Sequence, residues 1–150
     1  MDKILIYYKK FSKIEKYINV LNKSNNECAI FCKAYFMDGK IFLEKFLYFN
    51  ESIYENSIVL DNKILLKFLL VSSKDCTVFP CIIHSHVMYD ELEFSIDDEE
   101  LEESCNEVLE LNGGNNLLMV LIGTKDNKIL VHSKKVGLYE GEIRLSKREF

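Results

Sequence analysis

Two histidines stand two positions apart near the middle of the chain, as His84 and His86. The segment from Val78 to Ile83 is apolar and rich in β-branched residues, which predicts a strand running into the histidines. Because successive side chains of a strand point to opposite faces, both imidazoles would project from one face. Neutral imidazoles are common zinc ligands, with Zn–N contacts of ~2.0–2.1 Å, so the pair could hold one metal ion.

A serine and an acid follow after a short loop, as Ser95 and Asp98. Ser95 is a good N-cap residue, and Asp98 would then occupy the third helical position. The segment Ile96 to Leu111 predicts a helix because its apolar residues recur at nearly helical spacing. Asp98 could therefore point back toward the strand end. Two imidazoles and one carboxylate leave a fourth zinc position open for water, which is typical of catalytic zinc sites.

Each part of this pattern also has a purely structural explanation. A serine three positions before an acid is a plain capping box. The two histidines could be surface imidazoles on an edge strand, and Asp98 is one of four consecutive acids. The joint arrangement is more specific than its parts, because it combines strand, in-phase histidines, short loop and capped helix. We therefore expect metal binding by His84, His86 and Asp98.

This arrangement resembles the JAMM signature of the JAB/MPN zinc metalloproteases. The resemblance implies that His84, His86 and Asp98 bind Zn²⁺ and that Ser95 stabilises the oxyanion. It also implies a glutamate on an early strand that holds the zinc-bound water. Glu27 stands where the family pattern asks for it, because it opens an apolar segment directly after a predicted helix. Without the resemblance, Glu27 would be interpreted as a solvated acid at a strand end.

The chain departs from the family pattern in three places. Val87 stands where the family usually has proline after the second histidine. The loop from Val87 to Phe94 has eight residues, one more than the commonest spacing. The glycine that often follows the glutamate strand is missing. These differences concern loop geometry and leave all five residues that would carry the chemistry in place.

Composition limits the classes of protein. A length of 150 residues predicts one domain, 1–150, large enough for a real core. The formal net charge of −5 and the scattered basic residues argue against nucleic-acid binding. We see no membrane-spanning segment and no secretory leader, and the five cysteines include no CxxC pair, so we expect a cytoplasmic protein with free thiols. Cys28 and Cys32 could be zinc ligands, but core packing is the better interpretation.

The predicted elements surround the histidine strand. Their order is β-α-β-β-(α)-β-α-β-β, which favours an α+β fold with a mixed β-sheet flanked by helices. The family resemblance implies the JAB/MPN, cytidine-deaminase-like three-layer architecture. Pro80 predicts that the histidine strand lies at an edge or is bulged there, and His132 is interpreted as a surface or packing histidine. The predicted elements are strands 3–8, 27–37, 40–49, 78–86, 117–124 and 129–136, helices 11–22, 61–71 and 96–111, a short extended piece 57–60, a turn between Gly137 and Gly141, and a last strand or loose tail 142–150.

The resemblance also implies a function. The implied activity is that of a zinc-dependent isopeptidase or peptidase that cleaves after the C-terminus of a ubiquitin-like protein, with a water activated by Glu27 as the nucleophile. Stand-alone members often act in bacterial ubiquitin-like conjugation systems, including those of antiphage defence. Two alternatives stay open, a catalytically inactive MPN-type scaffold that binds partner proteins and a small-molecule zinc amidase. A zinc deaminase is disfavoured, because its His-x-Glu and Cys-x-x-Cys pattern is absent from the sequence.

Overall fold

The structure is a computed structural model that describes residues 3–9, 16–17, 20, 28–38, 40–51, 62–86, 93–123 and 128–148. At several strand ends it describes the backbone alone, namely at residues 3–5, 8–9, 49–51, 86 and 142–148. Lys16, Tyr17 and Val20 are helical, within the predicted helix 11–22, and the rest of that segment lies outside the described residues. The predicted extended piece 57–60 also lies outside them.

Across the described ranges, seven strands form one mixed sheet, and two helices pack on it. Strand β1 pairs in parallel with both β3 and β7, so the sheet curls until its two ends meet. The order around the sheet is β1-β3-β2-β4-β5-β6-β7. The α+β class with a mixed sheet is therefore confirmed. The elements are β1 Lys3–Lys9, β2 Cys28–Met37, β3 Lys40–Glu51, α1 Asn62–Ser72, β4 Phe79–His86, α2 Ile96–Leu111, β5 Leu118–Gly123, β6 Lys128–Ser133 and β7 Gly137–Arg148.

The hairpin between β2 and β3 follows the turn prediction. Asp38 has a φ of 53°, a left-handed conformation that aspartate tolerates better than most residues. The two strands then pair in antiparallel fashion from Met37 and Lys40 outward. The glycine turn predicted near the C-terminus was wrong, because Gly137 begins β7 and Gly141 lies inside it. The predicted last segment continues that strand as far as Arg148.

Pro80 does not mark an edge strand, so that prediction was wrong. Strand β4 is central, with β2 antiparallel on one side and β5 parallel on the other. Pro80 is the second residue of β4, and pairing with β5 begins only at Cys81. A proline lacks a backbone donor, and at this position only the β2 side of β4 is paired. The described register between β2 and β4 runs through Pro80 without a bulge.

The sheet has an apolar cluster on each face. One cluster fills the inside of the curl and includes Ile30, Ile83 and Val120. The other lies under the two helices, where Ile82 of β4 packs with Leu109 of α2. Because side chains alternate along a strand, position 84 falls on the same face as Ile82, under α2. Within the described ranges, no helix combines the length and apolar character needed to cross a membrane.

Candidate metal centre

His84 and Asp98 meet where the end of β4 faces the start of α2. The Nε2 atom of His84 lies 3.2 Å from the Oδ1 atom of Asp98. The histidine side chain is 5% exposed and the carboxylate 14% exposed, so the contact is sheltered from solvent. The strand alternation and the helix start that the sequence predicted thus bring these two residues together.

Asp98 also closes the capping box of α2. Ser95 is the N-cap, and its Oγ accepts a hydrogen bond of 3.1 Å from the Asp98 backbone N–H. In return, the Ser95 backbone N–H donates to Asp98 Oδ2 at 2.9 Å. The structural and the metal-binding interpretations of this motif are therefore compatible, because the two carboxylate oxygens face different partners. One oxygen holds the helix start and the other faces His84.

The pair fits the spacing that one zinc ion needs. Two ligands of a tetrahedral zinc with bonds of ~2.0–2.1 Å lie about 3.3–3.4 Å apart. The Nε2–Oδ1 separation of 3.2 Å is close to that value. The same distance lies within hydrogen-bond range, but the contact between these two atoms does not have hydrogen-bond geometry. The donor types, a neutral imidazole and a carboxylate oxygen, are both common in zinc sites.

The other two predicted site positions are only partly described. His86 is the last residue of β4, and its backbone pairs in register with Gly123, but its side chain lies outside the described part of the chain. Glu27 lies wholly outside it. Among the side chains that the structure describes, no three from His, Cys, Asp and Glu form a group able to hold a metal ion.

Ser85, which lies between the two histidines, has a structural role that was not predicted from the sequence. Its side chain is fully buried, and its Oγ accepts a hydrogen bond of 3.2 Å from the Cys28 backbone N–H. Cys28 begins β2, which pairs antiparallel with β4 so that Ala29 stands opposite His84. The bond therefore ties the start of β2 to the histidine end of β4. A serine between two histidines has no sequence signal for such a role.

A second histidine–carboxylate pair lies one helical turn further along α2. Nδ1 of His132, on β6, is 2.6 Å and 2.7 Å from the two Glu102 carboxylate oxygens. Burial raises the pKa of Glu102, and the neighbouring His132 partly opposes that shift. The ring of Phe94 lies between the two pairs. Its centroid is 6.3 Å from the centroid of the His84 ring and 6.4 Å from that of the His132 ring. The sequence signal for Glu102 was its position four residues after Asp98, on the same helix face.

The cysteines near the site belong to the core. Cys32 lies in the cluster inside the curl and stands directly opposite Cys81 on β4. Burial raises the pKa of the Cys81 thiol well above its usual range, and Cys32 reinforces the shift. Burial also raises the pKa of Cys105 to about 12. The thiols of Cys81 and Cys105 therefore stay protonated and unreactive at neutral pH.

A groove runs along α2 from the His84–Asp98 contact, and we call it the α2 groove. Its volume is about 880 Å³, and its walls present more apolar than polar surface. Asp98 and Phe94 line both the groove and the contact with His84. The α2 groove is lined by Phe94, Asp98, Glu99, Glu102, Glu103, Asn106, Glu107, Glu110, His132, Lys134 and Leu138.

Comparison with known proteins supports the fold alone. No protein-family model and no curated protein matches the chain. A solved structure that is similar to it is the solution structure of protein DSY2949 from Desulfitobacterium hafniense, a structural genomics target. The match has a TM-score of 0.52 and 16% sequence identity, and it covers 96% of this chain and 94% of that protein. At this identity the likeness shows a shared fold and carries no function.

Proposed function

We propose that the chain is a zinc-dependent peptidase whose metal ligands are His84, His86 and Asp98. The observation that carries the proposal is the sheltered His84–Asp98 contact, with a separation suited to two ligands of one zinc ion. Strand alternation puts position 86 on the same face as His84. The site combines two histidines and one carboxylate, so a fourth position would stay open for water and substrate.

Zinc, Ser95 and Glu27 would each contribute to a different step of amide hydrolysis. When bound, zinc supplies a Lewis acid that polarises the carbonyl and lowers the pKa of water toward ~7. Ser95 accepts a hydrogen bond through Oγ, and its own hydroxyl hydrogen could then be donated to the developing oxyanion. Glu27 would take a proton from the attacking water and transfer it to the leaving amine. In the chain it directly precedes Cys28, whose N–H is bonded to Ser85.

The substrate class comes from the resemblance of the motif to JAMM proteases. On that basis the substrate is a ubiquitin-like protein or its conjugate, cut at a peptide or isopeptide bond after its C-terminus. The setting would be a bacterial ubiquitin-like conjugation system of the kind used in antiphage defence. Free cysteines suit a reducing compartment, so we propose a cytoplasmic location.

One observation also favours a scaffold without catalytic activity. The same 3.2 Å contact between His84 and Asp98 could join β4 to α2 without any metal. A protein of this kind would bind partners and hold no metal. A small-molecule zinc amidase would bind zinc but leave ubiquitin-like fusions uncut.

Zinc content separates these possibilities. We expect close to one zinc per chain by elemental analysis after reconstitution, and its loss in His84→Ala and Asp98→Asn. The Asp98→Asn variant would keep a side-chain oxygen for the Ser95 N–H, so the helix cap survives the change. Glu102→Gln is the matched control, because it alters the other histidine–carboxylate pair and should leave zinc in place.

Cleavage is tested next on fusions of ubiquitin-like proteins. Glu27→Gln should retain zinc and lose hydrolysis of such a fusion, since it removes the proton acceptor and none of the proposed ligands. Absence of zinc from the reconstituted wild type would overturn the hydrolase proposal and leave the scaffold. Zinc-dependent hydrolysis of small amides alone would favour the amidase.

A further inference from the structure

The α2 groove has apolar surface between two walls. Helix α2 forms one wall, and His132, Lys134 and Leu138 line the other from β6 to the start of β7. Leu138 is 56% exposed although it is a large apolar residue. Phe94 contributes further apolar surface at the end near Asp98. A concave surface of this kind is typical of a binding site.

The α2 wall carries a surplus of negative charge. Of its carboxylates, Asp98, Glu102 and Glu110 face the cationic or titratable side chains His84, His132 and Lys134. Three more, on exposed residues, have no ion-pair partner among the described side chains. They are Glu99, Glu103 and Glu107. The groove is therefore complementary to a ligand that carries positive charge.

The spacing of these three carboxylates indicates the shape of the ligand. They are four residues apart on α2, so successive members rise by about 6 Å along the helix axis. In an extended peptide, side chains two residues apart are about 6.6–6.8 Å apart and share one face. Basic side chains at alternate positions would therefore match the stripe formed by Glu99, Glu103 and Glu107. The intervening side chains would point to the opposite wall, where Leu138 lies.

We propose that the α2 groove binds an extended segment of a partner protein that carries Lys or Arg at alternate positions and apolar residues between them. The groove reaches Asp98, so a bound segment would lead toward the His84–Asp98 contact. The inference that this segment belongs to a substrate rests on the proposed function. The binding itself depends only on the shape and charge of the groove.

Peptide binding tests this proposal in the full chain. The probe is a fluorescein-labelled peptide, Ala-Lys-Ala-Lys-Leu-Lys-Ala, measured by fluorescence anisotropy. A second peptide of the same composition has its three lysines adjacent. We expect the alternating peptide to bind more tightly and its affinity to fall with added salt. Equal affinity for the two peptides, or no binding of the alternating one at about 1 mM, would overturn the proposal.

Matched variants locate the binding. Glu103→Gln/Glu107→Gln removes two carboxylates from the groove, and Glu44→Gln/Glu100→Gln changes the net charge equally at exposed positions outside it. The groove variant should weaken binding by about 3- to 30-fold, as two exposed ion pairs would predict. The control should leave it unchanged. Equal effects in the two variants would show that the peptide responds to net charge alone and would overturn the proposal.

The apolar wall has its own pair of variants. Leu138→Ala should weaken binding of the peptide, while Leu111→Ala, at a more exposed apolar position outside the groove, should not. Unchanged binding in Leu138→Ala would contradict the apolar half of the proposal. His84→Ala should lose zinc and keep peptide binding. This variant distinguishes the two proposals, because zinc and peptide binding can each fail without the other.

Discussion

Asp98 contacts His84 with one carboxylate oxygen and holds the first turn of α2 with the other. Oδ1 lies 3.2 Å from His84 Nε2, and Oδ2 accepts the Ser95 N–H at 2.9 Å. A hydrogen bond to one oxygen of a carboxylate restricts the positions that the other oxygen can take. The helix cap thus positions the oxygen that faces β4. Formation of the helix start and of the proposed metal site are therefore linked through a single side chain.

Substitution of Ser95 separates its two proposed roles. Ser95→Ala removes the oxygen that accepts the Asp98 N–H, and it should lower the free energy of unfolding by about 0.5–2 kcal/mol. Ser95→Asn should retain most of this stability, because asparagine caps helices well, but lose hydrolysis because the hydroxyl is gone. Urea denaturation and a cleavage assay measure the two effects.

Ser104→Ala is the matched control for Ser95→Ala. Ser104 is exposed in the interior of the same helix, where alanine is favoured, so this variant should not be destabilised. If Ser95→Asn hydrolysed its substrate at the wild-type rate, the oxyanion role of the serine would be excluded.

Removal of the Ser85 hydroxyl should destabilise the junction of β2 and β4. Ser85→Ala deletes the buried acceptor that the Cys28 N–H uses. We expect a loss of about 1–3 kcal/mol in urea denaturation, since a buried hydrogen bond is broken. Ser72→Ala is the control, because the Ser72 hydroxyl is buried without a hydrogen-bond partner among the described residues and should tolerate the change. Equal stability of the two variants would contradict this role for Ser85.

Glu102 should make stability depend on pH. Burial raises its pKa in the folded chain, so between the ordinary glutamate pKa of about 4.3 and the raised value the folded state binds more protons than the unfolded state. Stability from this group is therefore present at low pH and lost as pH rises through that interval. We expect the stability of wild type relative to Glu102→Gln to fall as pH rises above about 4.3. Urea denaturation across that range measures it, and a relative gain by wild type would contradict the assignment.

Gly114 should resist substitution more strongly than its neighbour Gly113. A Cβ atom on Gly114 would lie 2.7 Å from Ser73 Cα, in the segment that follows α1. Backbone must move to relieve this contact, so Gly114→Ala should cost about 1–3 kcal/mol or more. Gly113 has a φ of +73° with nothing within 4 Å of a Cβ, so Gly113→Ala should cost only about 1–2 kcal/mol of strain. Thermal or urea denaturation compares the two, and a milder effect at Gly114 would contradict the predicted clash.

The sequence by itself determined the features that depend on neighbours along the chain. The capped helix from Ile96 to Leu111, the strand that contains His84, and the hairpin at Asp38 follow from capping, alternation and turn preferences. The proximity of Asp98 to His84 was also predictable, because the cap fixes the helix phase and a short loop joins it to the strand. These signals depend on residues that are close together in the chain, so a single sequence is enough to recognise them.

Tertiary structure alone decided the relationships between distant segments. Parallel pairing of β1 with β3 and β7 closes the sheet, and no local pattern specifies which strands become neighbours. The same packing makes β4 central despite Pro80 and brings His132 to Glu102. It also forms the α2 groove, whose walls are separated in sequence. The physical reason is that burial and pairing energies depend on contacts across the whole chain, whereas capping and alternation depend on residues close in sequence.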